Sequence, residues 1–96
     1  MDCDEIIFSR HALMQMFARS ISKDQVVEVI KNGEIITDYP DDNPYPSKLL
    51  LDFIDDEQPL HVVLGYDVDG SKCIVITAYQ PDLKIWESDF KTRRKK

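Results

Sequence analysis

The sequence predicts an α+β domain: two N-terminal helices packed on an antiparallel sheet of about four strands, followed by a short C-terminal helix. Apolar residues recur at helical spacing up to Gly33, and alternating apolar and polar residues dominate from Glu34 to Tyr79. The chain has 96 residues, 43% hydrophobic and 31% charged, which is enough for one modest core. We therefore expect a single domain over residues 1–90 and a basic tail over 91–96.

The N-terminal part begins with an ambiguous segment and a helix. Residues 5–8 can form a short first strand or an extended lead-in. Ser9 suits an N-cap, and the following HALMQMFAR has helical spacing. This spacing predicts that Leu13, Met16 and Phe17 face the core.

The second helix has better-marked ends. Ser22 followed three residues later by Gln25 is a capping-box pattern. Asn32-Gly33 is expected to end the helix, because glycine adopts the left-handed conformation at the C-terminus without penalty.

Four strands are expected after Gly33, because apolar and polar residues alternate between turn signals. Their predicted ranges are 34–39, 47–54, 60–66 and 73–79. Pro81 then restarts the chain, and residues 82–90 are compatible with a short helix whose Trp86 helps to close the core.

The segment YPDDNPYPS, residues 39–47, is a stiff loop between two strands. Each proline fixes its own φ and pushes the preceding residue into an extended conformation. The loop therefore holds Tyr39 and Tyr45 at defined places. A rigid, aromatic, acidic loop suggests a binding site rather than a spacer.

Charge is unevenly distributed. Residues 91–96, KTRRKK, carry five positive charges, while the other ninety hold seven basic and eighteen acidic groups, a formal charge of −11. A short basic end can bind phosphate, but an acidic body repels a polyanion unless its basic groups gather on one face. Otherwise the tail is a frayed, solubilising end.

The chain is expected to be cytoplasmic, with no membrane partner. Its N-terminus lacks the pattern of a signal peptide, and no apolar run approaches a membrane span. Cys3 and Cys73 are far apart and form no C-x-x-C pair, so both thiols are expected to be reduced. No ligand spacing typical of a metal occurs, and no cofactor is predicted.

Polar residues on the first helix suggest a surface for an anion. His11, Gln15 and Arg19 are spaced four apart and form one stripe. Such a stripe suits phosphate, although a solvated helix face has the same pattern. His61 lies on a predicted strand whose neighbours could bring Thr77 or Tyr79 close to it. It is either a reactive group or a half-buried, hydrogen-bonded histidine.

Four segments, FSRHALMQMFARSIS, VIKNGEIITDYPDDNPYPSKLLL, PLHVVL and IVITAYQPDLKIWESDF, resemble the bacterial family called domain of unknown function 4258. The family pattern has arginine before methionine where this chain has Gln15, and Arg19 could supply the missing charge. The resemblance implies a relationship to RelE/BrnT-like ribonuclease toxins and a RelE-like fold. It also implies a zinc-finger or helix-turn-helix antitoxin as partner.

Two functions follow as hypotheses. The first is a toxin-like, metal-independent mRNA endonuclease of a type II toxin-antitoxin system, whose substrate could be bound to the ribosome. His11 and His61 would then share one concave surface as acid and base. The predicted catalytic residues are His11, Arg19, His61 and Tyr79, and the predicted substrate-binding residues are Gln15, Tyr39, Tyr45 and Lys48. The alternative is a non-catalytic protein-binding module that uses the stiff loop of residues 39–47, called here the Tyr/Pro loop.

Overall fold

A computed structural model describes residues 3–54, 58–69 and 71–95. Its elements are β1 (Glu5–Phe8), α1 (Arg10–Ala18), α2 (Lys23–Asn32), β2 (Glu34–Tyr39), β3 (Ser47–Ile54), β4 (Gln58–Asp67) and β5 (Lys72–Tyr79). The strands form one sheet in the order β1-β5-β4-β3-β2. Within the described ranges, no helix has the length and apolar character needed to cross a membrane.

The predicted four-stranded antiparallel sheet is wrong, although the protein is an α+β domain. The sheet has five strands and is mixed, because β1 pairs with β5 in parallel, from Glu5 opposite Lys72 to Phe8 opposite Val75. A local sequence pattern cannot predict this pairing, because two parallel strands are joined by a long crossover and not by a hairpin turn.

The predicted C-terminal helix is also wrong. Residues 82–95 form turns, and Trp86 and Arg93 meet in an isolated antiparallel bridge. The chain doubles back at this bridge, so Trp86 closes a core from a turn rather than from a helix.

Both helices begin where the sequence predicts. Ser9 caps α1 by accepting a hydrogen bond from the Ala12 amide at 3.0 Å. Ser22 and Gln25 form the capping box of α2, with bonds of 2.9 and 3.1 Å. These side chains satisfy amide groups that the first turn of a helix leaves unpaired.

Gly33 ends α2 for a reason that differs from the prediction. Its backbone is extended, with φ −74° and ψ 164°, and not left-handed. A Cβ at this position would lie 2.4 Å from the Val29 carbonyl oxygen and 3.0 Å from that of Leu51. Glycine is therefore required here by the close approach of two backbones.

The main core lies between the two helices and one face of the sheet, called here the helix-side face. Its buried residues are Ala12, Met16, Ile21, Val26, Val29, Ile30, Leu50, Ile54, Leu60, Val62, Leu64, Cys73, Val75 and Ala78. The prediction that Leu13 and Phe17 join Met16 in this core is wrong, because both are exposed and Phe17 is 90% accessible. The short α1 buries only a narrow stripe.

The expectation of two reduced thiols is wrong as well, since Cys3 and Cys73 form a disulfide. They are 70 residues apart in sequence, but the parallel pairing of β1 with β5 brings their Cα atoms to 5.6 Å. The bond therefore joins the segment before β1 to the start of β5.

Replacing both cysteines by serine is expected to lower the free energy of unfolding by about 2–4 kcal/mol, because the bond closes a long loop in the unfolded chain. Urea unfolding of the wild type and the double variant, each with and without reductant, measures this. Reductant should destabilise only the wild type. Equal midpoints for oxidised wild type and variant would contradict the expectation.

Candidate functional site

The face of the sheet opposite the helices carries a second buried cluster around His61. Leu60 and Val62 point into the helix-side core, so alternation along β4 directs His61 to the other face. The C-terminal segment covers it there, with the Trp86 ring centroid 4.6 Å from the imidazole at an interplanar angle of 87°.

Both ring nitrogens of His61 are hydrogen bonded. Nε2 lies 2.7 Å from the Phe90 carbonyl oxygen, and Nδ1 lies 3.1 Å from the Tyr79 hydroxyl. A carbonyl oxygen only accepts, so Nε2 carries the hydrogen and Nδ1 accepts from Tyr79 in the neutral ring. Burial lowers the pKa of His61, although the bond to Phe90 acts in the opposite direction.

His61 therefore orients the Tyr79 hydroxyl. Its side chain is fully buried, with 0% exposure, and neither nitrogen is available to a reacting group. The expectation that His11 and His61 share one concave surface is wrong. α1 lies over the helix-side face, and His61 lies on the opposite face.

A different set of predicted residues meets at the edge of the sheet. β1 pairs with β5 only as far as Val75, so β1 leaves the edge uncovered from Ile76 to Tyr79. The side chains of Gln15 and Arg19 reach β5 across this edge, and His11 lies one turn before Gln15 on the same helical stripe. We call the set His11, Gln15, Arg19, Thr77 and Tyr79 the α1–β5 strip.

Hydrogen bonds hold the centre of the strip. Thr77 donates its hydroxyl to the Gln15 amide oxygen. The Arg19 guanidinium donates to the Ala78 carbonyl at 2.9 Å and to the same Gln15 oxygen at 3.4 Å. His11 is exposed and lies one helical turn before Gln15, about 6 Å along the helix axis.

Tyr79 ends the strip in a charged environment. Burial raises the pKa of its hydroxyl most strongly, and the nearby Tyr39 raises it further. The positive charges of Arg93 and Arg19 act in the opposite direction and lower the pKa of Tyr79. Arg93 was not predicted as a site residue; the only signal in the sequence was the basic composition of the tail.

The other predicted substrate-binding residues are dispersed. Tyr39, 39% exposed, ends β2 and influences Tyr79 electrostatically. Tyr45 is half-buried, with its Cβ 3.6 Å from the position that a Cβ on Gly65 would take. Lys48 pairs with Asp38 at 3.2 Å. Since Lys48 is opposite Leu64, it belongs to the helix-side face, away from Tyr79.

No group of three or more His, Cys, Asp or Glu side chains that could hold a metal occurs in the described ranges. The strip itself supplies an exposed imidazole, a fixed guanidinium and a phenol. These groups bind anions and transfer protons.

Comparisons with known proteins identify a family and no closer relative. Neither the curated proteins nor the solved structures include a match. The relationship to RelE/BrnT-like toxins therefore stays a prediction. One family model matches residues 8–80, which include the whole α1–β5 strip but not the segment 82–95. Over those residues the chain belongs to the family described as Domain of unknown function (DUF4258).

Proposed function

We propose that the protein is a toxin-like, metal-independent endoribonuclease that cleaves mRNA at the α1–β5 strip. The observation that carries the proposal is the fixed guanidinium of Arg19. It is bonded to the carbonyl of Ala78, the residue before Tyr79 on β5, and lies on the same polar stripe as His11. A positioned cation suits the charge that develops when a phosphodiester is cleaved, and the imidazole of His11 lies about two helical turns away on the same stripe.

The chemistry assigns one role to each group. His11 takes the proton of the ribose 2′-hydroxyl, and the 2′-oxygen attacks phosphorus. Arg19 stabilises the negative charge on the phosphorane oxygens, and the bond from phosphorus to the 5′-oxygen breaks. The imidazolium of His11 returns the proton to the leaving oxygen. The products are a 2′,3′-cyclic phosphate and a 5′-hydroxyl.

Tyr79 helps to position the RNA and does not transfer a proton. Its hydroxyl hydrogen goes to His61, so the phenolic oxygen accepts a hydrogen bond from a ribose hydroxyl or an exocyclic amine. Resemblance to toxin families supports an antitoxin of the zinc-finger or helix-turn-helix class as the protein partner. The proposal includes ribosome-bound mRNA as a substrate.

Expression of the wild type alone is expected to slow bacterial growth and to shorten cellular mRNA, because no antitoxin would then be present. Growth curves and mapping of RNA ends measure both effects. Purified protein should reproduce the cleavage on RNA, with or without added ribosomes. Normal growth with intact mRNA, from cells in which the folded protein accumulates, would contradict the proposal.

The Tyr/Pro loop favours protein binding as the second candidate function. Ser47 donates a hydrogen bond to the Asp42 carboxylate, and the Tyr66 amide donates to the Pro46 carbonyl at 3.0 Å. These bonds fix the loop at its β3 end, and the Asp42 amide donates to the Tyr39 carbonyl at 3.3 Å at its β2 end. Tyr39 stays accessible, and a rigid aromatic group loses little entropy on binding. A folded protein that binds the product of an adjacent gene but cleaves no RNA would favour this function.

A further inference from the structure

The basic C-terminal segment is folded against the domain. The Glu87 amide donates to the Thr92 carbonyl and the Arg94 amide donates to the Ile85 carbonyl, each at 2.8 Å. These bonds join the two sides of the chain reversal as far as Arg94. The positive charges of the tail are therefore held at defined places.

These charges line a cleft on the outer side of the segment. The cleft has a volume of about 830 Å³ and is lined by Lys84, Ile85, Arg93, Arg94 and Lys95. Four of its five lining residues are cationic, and all five are exposed. We call it the C-terminal cleft.

Most of this positive charge is not neutralised by its surroundings. Arg94 is paired with Glu87 at 3.2 Å and donates to the Leu83 carbonyl at 2.5 Å. Arg93 lies 5.7 Å from the centroid of the Trp86 ring, which holds its guanidinium at the base of the segment. Lys84, Arg93 and Lys95 make no ion pair with any other described residue.

The cleft adjoins the α1–β5 strip through Arg93. This residue lines the cleft and lies over the Trp86 ring, which packs on His61, and His61 is hydrogen bonded to the Tyr79 hydroxyl. The C-terminal segment itself, residues 82–95, holds five cations and three acidic residues, Asp82, Glu87 and Asp89, so its net charge is +2 (5 − 3). The strand register places five aspartates at the opposite end of the sheet, beside the β2–β3 loop and the β4–β5 turn: Asp38, Asp41, Asp42, Asp67 and Asp69. At physiological salt, charges beyond about 8 Å are largely screened. The cleft can therefore attract an anion to an acidic protein.

We infer that the C-terminal cleft binds the phosphate backbone of the RNA chain beside the bond that the strip cleaves. This inference rests on the proposed function and adds a second subsite to it. Three cations with no ion pair inside the described ranges and one paired arginine match successive phosphates, with arginine supplying paired donors and lysine a point charge. Ile85 gives the floor an apolar surface for a ribose or base.

The test uses binding without cleavage. A fluorescent twelve-nucleotide RNA with 2′-O-methyl groups lacks the attacking hydroxyl, so its affinity does not depend on catalysis. The probe is titrated with wild type, with the cleft variant K84Q/R93Q/K95Q and with the control K23Q/K31Q/K72Q. The two variants lose the same net charge, but the control lysines lie on α2 and at the start of β5.

The cleft variant is expected to bind at least tenfold more weakly at low salt. Its slope of log affinity against log salt should fall by about 2, because each phosphate contact to a single strand contributes about 0.7. The control variant should keep the wild-type slope. Equal losses in the two variants would overturn the inference, because net charge alone would then explain the binding.

A second variant protects the test against misfolding, since Arg93 also packs on Trp86. K84Q/K95Q keeps that contact and should reduce the salt slope by about 1.4, for two lost contacts. An unchanged slope in this variant would overturn the inference. If the cleft binds RNA in this way but the wild type cleaves none, the proposed function fails and the subsite stands. If the wild type cleaves RNA but both variants bind the probe as tightly as the wild type does, the proposed function stands and the subsite fails.

Discussion

His11→Ala is expected to lower the rate of RNA cleavage by about 10²–10⁴-fold, because the variant lacks the proposed base. His11 is exposed on α1 and outside the core, so the substitution should leave the fold intact. Initial rates on a labelled RNA measure the effect, and thermal unfolding checks the fold.

Met14→Ala is the matched control for this prediction. Met14 is 66% exposed on the same helix and has no group that could transfer a proton. The Met14→Ala variant should cleave RNA at close to the wild-type rate. If His11→Ala cleaved as fast as Met14→Ala, His11 would not be the base and the assigned mechanism would be wrong.

His61→Ala is expected to lower the free energy of unfolding by about 3–5 kcal/mol, as do other substitutions of a large buried side chain by alanine. The variant leaves a cavity between Trp86 and Tyr79, and it removes a partner from the Phe90 carbonyl and from the Tyr79 hydroxyl. Urea unfolding measures the loss. Tyr79→Phe removes one hydroxyl only and should cost about 1 kcal/mol.

The same histidine predicts how stability changes with pH. Its pKa in the folded protein lies below the ordinary value of 6.5, so the unfolded chain binds more protons between those two values. The contribution of His61 to stability is complete above pH 6.5 and is lost as the pH falls through that window. His61→Gln should remove this part of the pH dependence. An unchanged pH profile in His61→Gln would show that the ring is not held neutral by burial.

Much of the fold follows from local patterns in the sequence. Capping residues define where the helices start, because an unpaired amide needs a nearby acceptor, and Ser9 and Ser22 supply one. Apolar segments bounded by turn residues predict β3, β4 and β5, because successive side chains of a strand point to opposite faces of the sheet. The pairing of β1 with β5 could not be predicted, because its two strands are joined through the rest of the domain. Helical spacing around Trp86 also failed, because tertiary contacts to His61 and Arg93 determine that segment.

The candidate site shows the same division. The four-residue spacing of the helical stripe predicted that His11, Gln15 and Arg19 act together, and the structure places Gln15 and Arg19 against β5. The role of His61 could not be read from its strand, because both of its partners depend on tertiary structure. Phe90 reaches it only through the fold of the C-terminal segment, and Tyr79 only through the pairing of β4 with β5.

The most direct test of the central claim is the chemical identity of the ends that the purified wild type produces on RNA. We expect a 2′,3′-cyclic phosphate on the upstream fragment and a 5′-hydroxyl on the downstream fragment, formed without added metal and in the presence of a chelator. A single 2′-O-methyl group at the cleaved nucleotide should abolish the reaction. RNA that stays intact with excess folded protein, with and without ribosomes, would contradict the account.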